Sequence, residues 1–276
     1  MIFAGKTLEL SSPKVMGILN VTPDSFSDGG RFSQLEHALQ QVQSMLGEGA
    51  DFIDVGGEST RPGAAEVSVQ QELDRVVPVI EAISSRFDTL ISIDTSKAMV
   101  MTEAVNAGAV LINDVRALRE DGALKAAAAT NAAVCLMHMQ GQPRTMQHSP
   151  RYDDLIDDIS DFFRQRISAC DAAGITKGRI LLDPGFGFGK TLQHNYQLLN
   201  KLEYFHQLGC PLLVGMSRKS MLGKLLNNNV GERLAGSLAC ATIAALKGAQ
   251  IIRVHDVRPT VDALKAVQAT LNPQEL

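Results

Sequence analysis

The sequence predicts an α/β fold, a single (β/α)8 TIM barrel, on three observations. Eight short Val-, Ile- and Leu-rich runs recur along the chain, helical patterns separate them, and a polar residue follows the end of each run. Each run is too short for a helix and leads into Gly, Asn or Asp, as buried parallel strands do. The runs are 15–19, 52–55, 90–93, 110–112, 134–137, 180–182, 212–214 and 251–254. The polar residues at or just past their ends are Asn20, Glu58, Asp94, Asn113, His138, Asp183, Lys219 and His255. In a closed barrel these ends converge on one mouth. An open doubly wound sheet would instead place a glycine fingerprint after its first strand. The segment Met16-Gly17-Ile18-Leu19-Asn20 has none.

The helices follow in order. Ser33 and Glu36 form a capping box ahead of Leu35, Leu39, Val42 and Leu46, and Ser68 with Gln71 does the same before Leu73, Val76, Val77, Ile80 and Ile83. Pro78 is expected to kink that second helix. Further helical stripes carry Leu155, Ile156, Ile159, Phe163 and Ile167, then Tyr196, Leu199 and Leu202, then the Ala-rich stretch after Glu232. The acidic start at Asp153, Asp154, Asp157, Asp158 and Asp161 reads as a solvated face helped by the helix dipole. Three connections after strands, 21–32, 56–67 and 139–150, are long and rich in Gly, Pro, Ser and Thr. The first two are βα loops 1 and 2; carrying Arg31 and Arg61, they are expected to lie over the C-terminal face as lids that exclude water. No composition break divides the chain, so residues 1–276 are expected to form a single domain.

Composition narrows the partners. A chain of 276 residues, 45% apolar and 20% charged, is neither disordered nor collagen-like, and at this length about 75% of the unfolded surface can be buried without disulfide or metal staples. The net charge of −4 and the absence of a Lys/Arg block argue against nucleic acid as a partner and for small ligands. Cys135, Cys170, Cys210 and Cys240 stand far apart with no zinc spacing and read as buried free thiols. The first 13 residues lack a signal-peptide run, and the weakly polar stretch 234–246 is shorter than the ~20 residues a bilayer requires. A cytoplasmic protein without a membrane partner is expected.

Four clusters carry chemistry. The run Asp183-Pro184-Gly185-Phe186-Gly187-Phe188-Gly189-Lys190-Thr191 ends like a phosphate loop, but Pro184 stands where a Walker A loop needs Gly and Lys190 where the dinucleotide fingerprint needs one. It reads better as a loop whose backbone approaches a flat ligand beside Phe188, with Asp183 as the chemical group or as the cap of the next turn. Ser217-Arg218-Lys219 and Arg253-Val254-His255-Asp256 follow strands seven and eight, where barrel enzymes often bind phosphate. Arg253 and His255, two apart, share a side and suit a phosphate or pyrophosphate; alternatively Arg253 pairs with a carboxylate such as Asp256 and His255 fills a polar corner. Asp94 and Asn113 can read the donor and acceptor edge of a heterocycle, or cap helix N-termini. His138, between Met137 and Met139, is given no catalytic role, the methionines reading as core gap-fillers.

Taken together, the segments 16–30, 54–63 and 183–190, Ser217-Arg218-Lys219 and Arg253-Val254-His255-Asp256 closely resemble the bacterial dihydropteroate synthase family. The resemblance runs in order along essentially the whole chain and departs only in 224–231 and at the termini. It implies a folate-pathway transferase that joins 6-hydroxymethyl-7,8-dihydropterin diphosphate to 4-aminobenzoate with Mg²⁺, yields 7,8-dihydropteroate and pyrophosphate, and works as a homodimer.

By that family's pattern, Asp183 accepts from the pterin 2-amino group and N3, Asp94 and Asn113 bond its other edge, and Lys219 donates on the O4/N5 side. Arg253 and His255, with Asn20 and Arg61, hold the diphosphate, and the Asn20 carbonyl oxygen ligates Mg²⁺. Phe26, Thr60, Arg61 and Pro62 on the lids, with Ser217 and Phe188, form the aminobenzoate pocket, which implies ordered binding. The implied chemistry is dissociative: Asp94, Asp183, Lys219, Arg253 and His255 are the catalytic set. Two rival readings remain, a pterin-binding methyltransferase domain, whose substrate has no diphosphate, and a non-catalytic pterin carrier, which needs no Mg²⁺ site.

Overall fold

The computed structural model describes residues 1–22, 31–59, 66–141, 146 and 150–275, with the backbone alone at 31–33 and 275. A two-stranded antiparallel hairpin, β1 (Ile2–Phe3) and β2 (Lys6–Thr7), comes first. Eight parallel strands follow: β3 (Lys14–Asn20), β4 (Phe52–Gly56), β5 (Leu90–Asp94), β6 (Leu111–Asp114), β7 (Ala133–Met137), β8 (Ile180–Asp183), β9 (Leu213–Val214) and β10 (Ile251–Val254). Their spatial order is β8-β7-β6-β5-β4-β3-β10-β9. A parallel bridge from Leu182 to Leu212, and a bond from the Leu182 N–H to the Pro211 carbonyl at 2.9 Å, join the two ends into a barrel.

The strands agree with the predicted runs to within one or two residues. Period-two alternation sorts their side chains into two sets. Val15, Leu19, Ile53, Val55, Ile91, Ile93, Ile112, Val134, Leu136, Ile180, Leu182, Val214, Ile252 and Val254 join the helices in the large outer core. Met16, Phe52, Leu90, Leu111, Ala133, Cys135, Leu181, Leu213 and Ile251 form a second cluster inside the barrel. The hairpin closes the N-terminal end of this inner cluster: Phe3 is fully buried and meets Phe52 edge-on, with ring centroids 5.1 Å apart. Along the inner face the chemistry then changes from apolar to polar toward the C-terminal mouth. Phe52 is followed two residues later by Asp54, Leu90 by Ser92 and Asp94, Leu111 by Asn113, Leu181 by Asp183, and Ile251 by Arg253.

Nine α-helices are found among the described residues: α1 (Arg31–Gly47), α2 (Val69–Arg86), α3 (Ala98–Asn106), α4 (Ala123–Ala128), α5 (Leu155–Ala172), α6 (Leu192–Asn200), α7 (Ser220–Leu226), α8 (Leu234–Leu246) and α9 (Val257–Leu271). The Ser68/Gln71 capping box is present, and α2 continues through Pro78 without ending. One expectation is corrected: α1 begins at Arg31, so Ser33 lies inside the helix and is not its N-cap. Asp154 caps α5 by accepting from the Ile156 and Asp157 N–H groups, which explains the acidic start. The helices missing from the sequence reading are α3, α4, α7 and α9, and none of them has a side-chain hydrogen bond at its N-cap. All four cysteines are buried and free, as expected.

Candidate active site

The polar ends of β4, β5, β6, β8 and β10 meet inside the barrel mouth around Arg253. Its Nε donates to Asp54 Oδ2 at 2.6 Å and its Nη2 to Asp94 Oδ2 at 2.8 Å. Asn113 Nδ2 donates to the same Asp54 oxygen at 3.3 Å. Strand register produces this cluster, because Asp54 pairs with Ser92 and Asp94 with Asn113 across neighbouring strands. Asp54 is completely buried, and its Oδ1 has no hydrogen-bond partner among the described residues. The alternative reading, in which Arg253 pairs with a carboxylate, holds with Asp54 and Asp94 as the partners; Asp256, the example named for it, is instead held by Arg218, whose Nε donates to it at 2.9 Å.

Buried charges in this mouth have displaced proton affinities. Burial pushes the Asp94 carboxyl up to about 7; Arg253 opposes the rise, and Asp54, Glu72 and Asp114 add to it. Asp183 is raised by burial, against the pull of Lys219 and the Gly185 N–H. The Lys219 ammonium is lowered to about 8 by burial, with Asp183 opposing. Arg253 behaves oppositely: burial disfavours its charge, but Asp54 and Asp94 together raise its affinity for the proton. It stays a cation.

On the β8 side, Asp183 Oδ1 accepts from the Gly185 N–H at 2.8 Å. Lys219 Nζ donates to the Phe186 carbonyl at 2.6 Å and sits 4.8 Å from the centre of the Phe188 ring, a cation–π distance. Phe188 is half-buried against Val115, Met137, Met139 and Met146, an apolar cluster separate from the main core. Met137 and Met139 are thus buried as read, but they build a wall beside Phe188 instead of filling the core. On the β10 side, His255 Nδ1 lies 3.1 Å from Ser217 Oγ, and the His255 N–H donates to the same oxygen at 3.2 Å.

Of the eight strand-end residues, two turn to other work. Glu58 accepts from the Val67 N–H at 3.3 Å and pairs with Lys97 at 2.5 Å, which also binds the fully buried Glu72. This tie joins the two ends of the second long loop. His138 is buried beside Lys190, whose Nζ lies 3.0 Å from its Nδ1. Phe26, Thr60, Arg61 and Pro62 lie outside the described residues, as does the side chain of Arg31. Sequence reasoning missed Asp54, Lys190 and the wall formed with Val115 and Met146. Asp54 was legible in one respect: it occupies an inward position of the alternating run Phe52-Ile53-Asp54-Val55-Gly56, where an apolar residue is the rule.

Asn20 ends β3 beside Gly56. A side chain at Gly56 would have its Cβ 3.8 Å from Asn20 Oδ1 and 4.0 Å from Asp94 Oδ2, so the missing side chain leaves a space flanked by two oxygens. No group of three or more His, Cys, Asp or Glu that could hold a metal occurs among the described residues. A few neutral or acidic oxygens fit Mg²⁺, which keeps waters and takes substrate phosphate as ligand.

An eight-stranded barrel with acids, an amide and half-buried cations gathered at its C-terminal mouth is the arrangement of a barrel enzyme with a polar small-molecule site. Residues 16–255 match the pterin binding enzyme family, and the chain belongs to that family. It is similar to the dihydropteroate synthase of Escherichia coli (strain K12), with 60% identity over 271 residues covering 98% of this chain and 96% of that one. Among solved structures, it resembles the Yersinia pestis dihydropteroate synthase in a sulfonamide drug complex, with TM-score 0.94, 64% identity and 99% of each chain covered. It also resembles the Xanthomonas albilineans enzyme with 4-aminobenzoic acid, at TM-score 0.92 and 49% identity over 98% of this chain and 97% of that one. Within the family the chain is a dihydropteroate synthase, a transferase.

Proposed function

We propose that the mouth binds the pterin ring and its diphosphate side by side, and that the reaction is a dissociative substitution at the methylene between them. The observation that carries this reading is the Asp54–Arg253–Asp94 clamp: the acid that reads the heterocycle and the cation that meets the leaving group are 2.8 Å apart. Asp183 and Asn113 bond the donor and acceptor edges of the ring, Asp94 bonds the edge nearest Arg253, and Phe188 with Met137 and Met139 forms the apolar wall. Two arms of the Arg253 fork are engaged by Asp54 and Asp94, which leaves Nη1 for the diphosphate, with His255 and Arg61 as further donors.

In the step itself, the methylene C–O bond breaks and its electron pair leaves on the pyrophosphate oxygen. The methylene cation left behind is conjugated with the ring, and Asp94 and Asp183 stabilise it electrostatically. The lone pair of the neutral 4-aminobenzoate amine then forms the C–N bond, and the ammonium proton passes to solvent. No strong base is required. Asn20, with Asp94 nearby, is the residue that would hold Mg²⁺, which when bound neutralises charge on the diphosphate. Ser217 and Phe188, with Phe26, Thr60 and Pro62, border the aminobenzoate, which binds second.

The free buried thiols fit a reducing cytoplasm, and no helix among the described residues is long and apolar enough to cross a membrane. The working form is a homodimer built on α7 and α8, where Leu225, Leu226, Leu234, Ile243 and Leu246 are exposed. Purified protein with both substrates and Mg²⁺ should release pyrophosphate and form 7,8-dihydropteroate, identified by mass. Asp183→Asn should weaken pterin binding in calorimetry roughly 10- to 100-fold, the ~1.5–3 kcal/mol of a hydrogen bond to a charged group. Unchanged affinity would remove Asp183 from the pterin site.

A further inference from the structure

The glycine-rich run after β8 is built the opposite way from the phosphate loop its sequence suggests. Gly185, Gly187 and Gly189 have φ of +73°, +82° and +61°, backbone that other residues adopt only under strain. A phosphate loop presents N–H groups to an anion. Here carbonyl oxygens meet side-chain donors instead. Lys190 Nζ donates to the carbonyls of Gly185 at 2.9 Å and Phe188 at 3.1 Å, Lys219 to that of Phe186 at 2.6 Å, and the Tyr152 hydroxyl to that of Gly189 at 2.7 Å.

Lys190 stands where a phosphate loop carries its lysine, yet it is only 3% exposed. Its third neighbour is His138 Nδ1 at 3.0 Å. An ammonium group has three protons and no lone pair, so two carbonyls and one imidazole nitrogen account for all of them. For Nδ1 to accept, the imidazole must be neutral with its proton on Nε2. Burial holds His138 in that neutral form, well below its ordinary range, with Lys190 and Arg119 adding to the effect. The charged groups facing Lys190 are Asp183, which favours its charge, and Lys219, which opposes it; burial lowers it to about 7. Lys190 therefore has no donor left for a substrate, and its contacts all lead to the loop between Asp183 and Phe188 and to the end of β7.

We infer that Lys190 is a positioning residue for pterin recognition, fastening the left-handed glycine loop so that Asp183 and the Phe188 ring hold the orientation that the ring of the substrate requires. The inference rests on the assignment of Asp183 and Phe188 to the pterin. A lysine needed only for folding would alter stability and leave ligand affinities of the folded enzyme alone; a positioning lysine alters one affinity selectively.

The test uses the full chain and two probes, 6-hydroxymethyl-7,8-dihydropterin and inorganic pyrophosphate, titrated calorimetrically at a temperature where circular dichroism shows the variant folded. Lys190→Met should raise the Kd for the pterin at least about tenfold and the KM for pterin diphosphate in parallel, while the pyrophosphate Kd changes less than about twofold. Lys190→Gln, which keeps an amide donor in the cavity, should show the same split at smaller size, and it carries the test if the Met variant does not fold. Unchanged pterin affinity, or equal weakening of both probes, would overturn the inference. Asp183→Asn run alongside separates the two claims: an unchanged pterin Kd there removes the site assignment, whereas a loss in Asp183→Asn beside an intact Lys190→Met removes only the role of Lys190.

Discussion

Arg253 acts inside the barrel as a half-buried cation shared by two acids, and the balance of these three groups sets the acid–base behaviour of the mouth. Asp94 titrates near 7 because burial disfavours its charged form, and Lys219 near 8 because burial disfavours its own. The sign follows from the roles. In the proposed mechanism, Asp94 below about 7 is protonated and would not stabilise the methylene cation, and Lys219 above about 8 is neutral and would be a weaker donor. The kcat/KM for pterin diphosphate should therefore be bell-shaped, rising through about 7 and falling through about 8. Asp94→Asn should lower kcat/KM and abolish the rising limb in a steady-state pH series; a limb that persisted would assign it to another group. The same raised carboxyl affects stability: its protonated form favours the folded state at pH below its ordinary 3.8, and that contribution is lost as the pH rises through about 7. At this scale Asp94, Asn113, Asp183 and Arg253 were legible from strand ends alone. The partner of Arg253 was not, because Asp256 is its near neighbour in sequence while Asp54 is 199 residues away.

A missing cap accompanies every helix that was not read, although α8, which also starts without one, was readable from its Ala-rich run. The Ser68 box marks α2 in the sequence and an apolar stripe marks α5, whose Asp154 cap emerges only in the structure, whereas α3, α4, α7 and α9 start without a side-chain cap bond and owe their position to the strands beneath them. The glycine loop after β8 was legible as a ligand-facing loop, but its inverted polarity was not, because sequence shows which residues allow positive φ and not which way the carbonyls face. Its close fit gives an element-scale prediction. A Cβ at Gly185 would collide with the His138 carbonyl oxygen, on backbone already at φ +73°. Gly185→Ala should cost about 1–2 kcal/mol for the left-handed backbone and about 1–3 for the overpacking, lowering the thermal midpoint by several degrees. Gly178 has open space around its would-be Cβ and no positive φ, so Gly178→Ala should leave the midpoint nearly unchanged. Equal midpoints for the two variants would mean that the loop yields around the added methyl group.

The whole molecule is a gradient along the barrel axis. Phe3 and Phe52 seal one end, the inner side chains of the strands turn from apolar to charged toward the other, and the helices bury the outer faces. That gradient was readable from alternation once the strands were placed; the hairpin plug was not, since strands of two residues carry too little pattern. What the barrel leaves uncovered is the outer face of α8. Ala235, Ala239, Ile243 and Leu246 are all exposed and lie at helical spacing on one side, with no charge among them. Exposed apolar stripes of this kind mark contact surfaces, and small residues let a second helix approach closely. In a two-fold dimer the same face meets itself, so a charge introduced near the axis is duplicated across the interface and buried without a partner. Ile243→Glu should therefore shift the sedimentation coefficient from that of a dimer to that of a monomer at micromolar protein, while far-ultraviolet circular dichroism stays unchanged, because the side chain is already exposed in the single chain. Pterin affinity should survive the substitution, since every group assigned to the ring comes from one barrel. A variant that remained dimeric would place the interface on another face, and a wild-type protein that sedimented as a monomer would end the dimer proposal altogether.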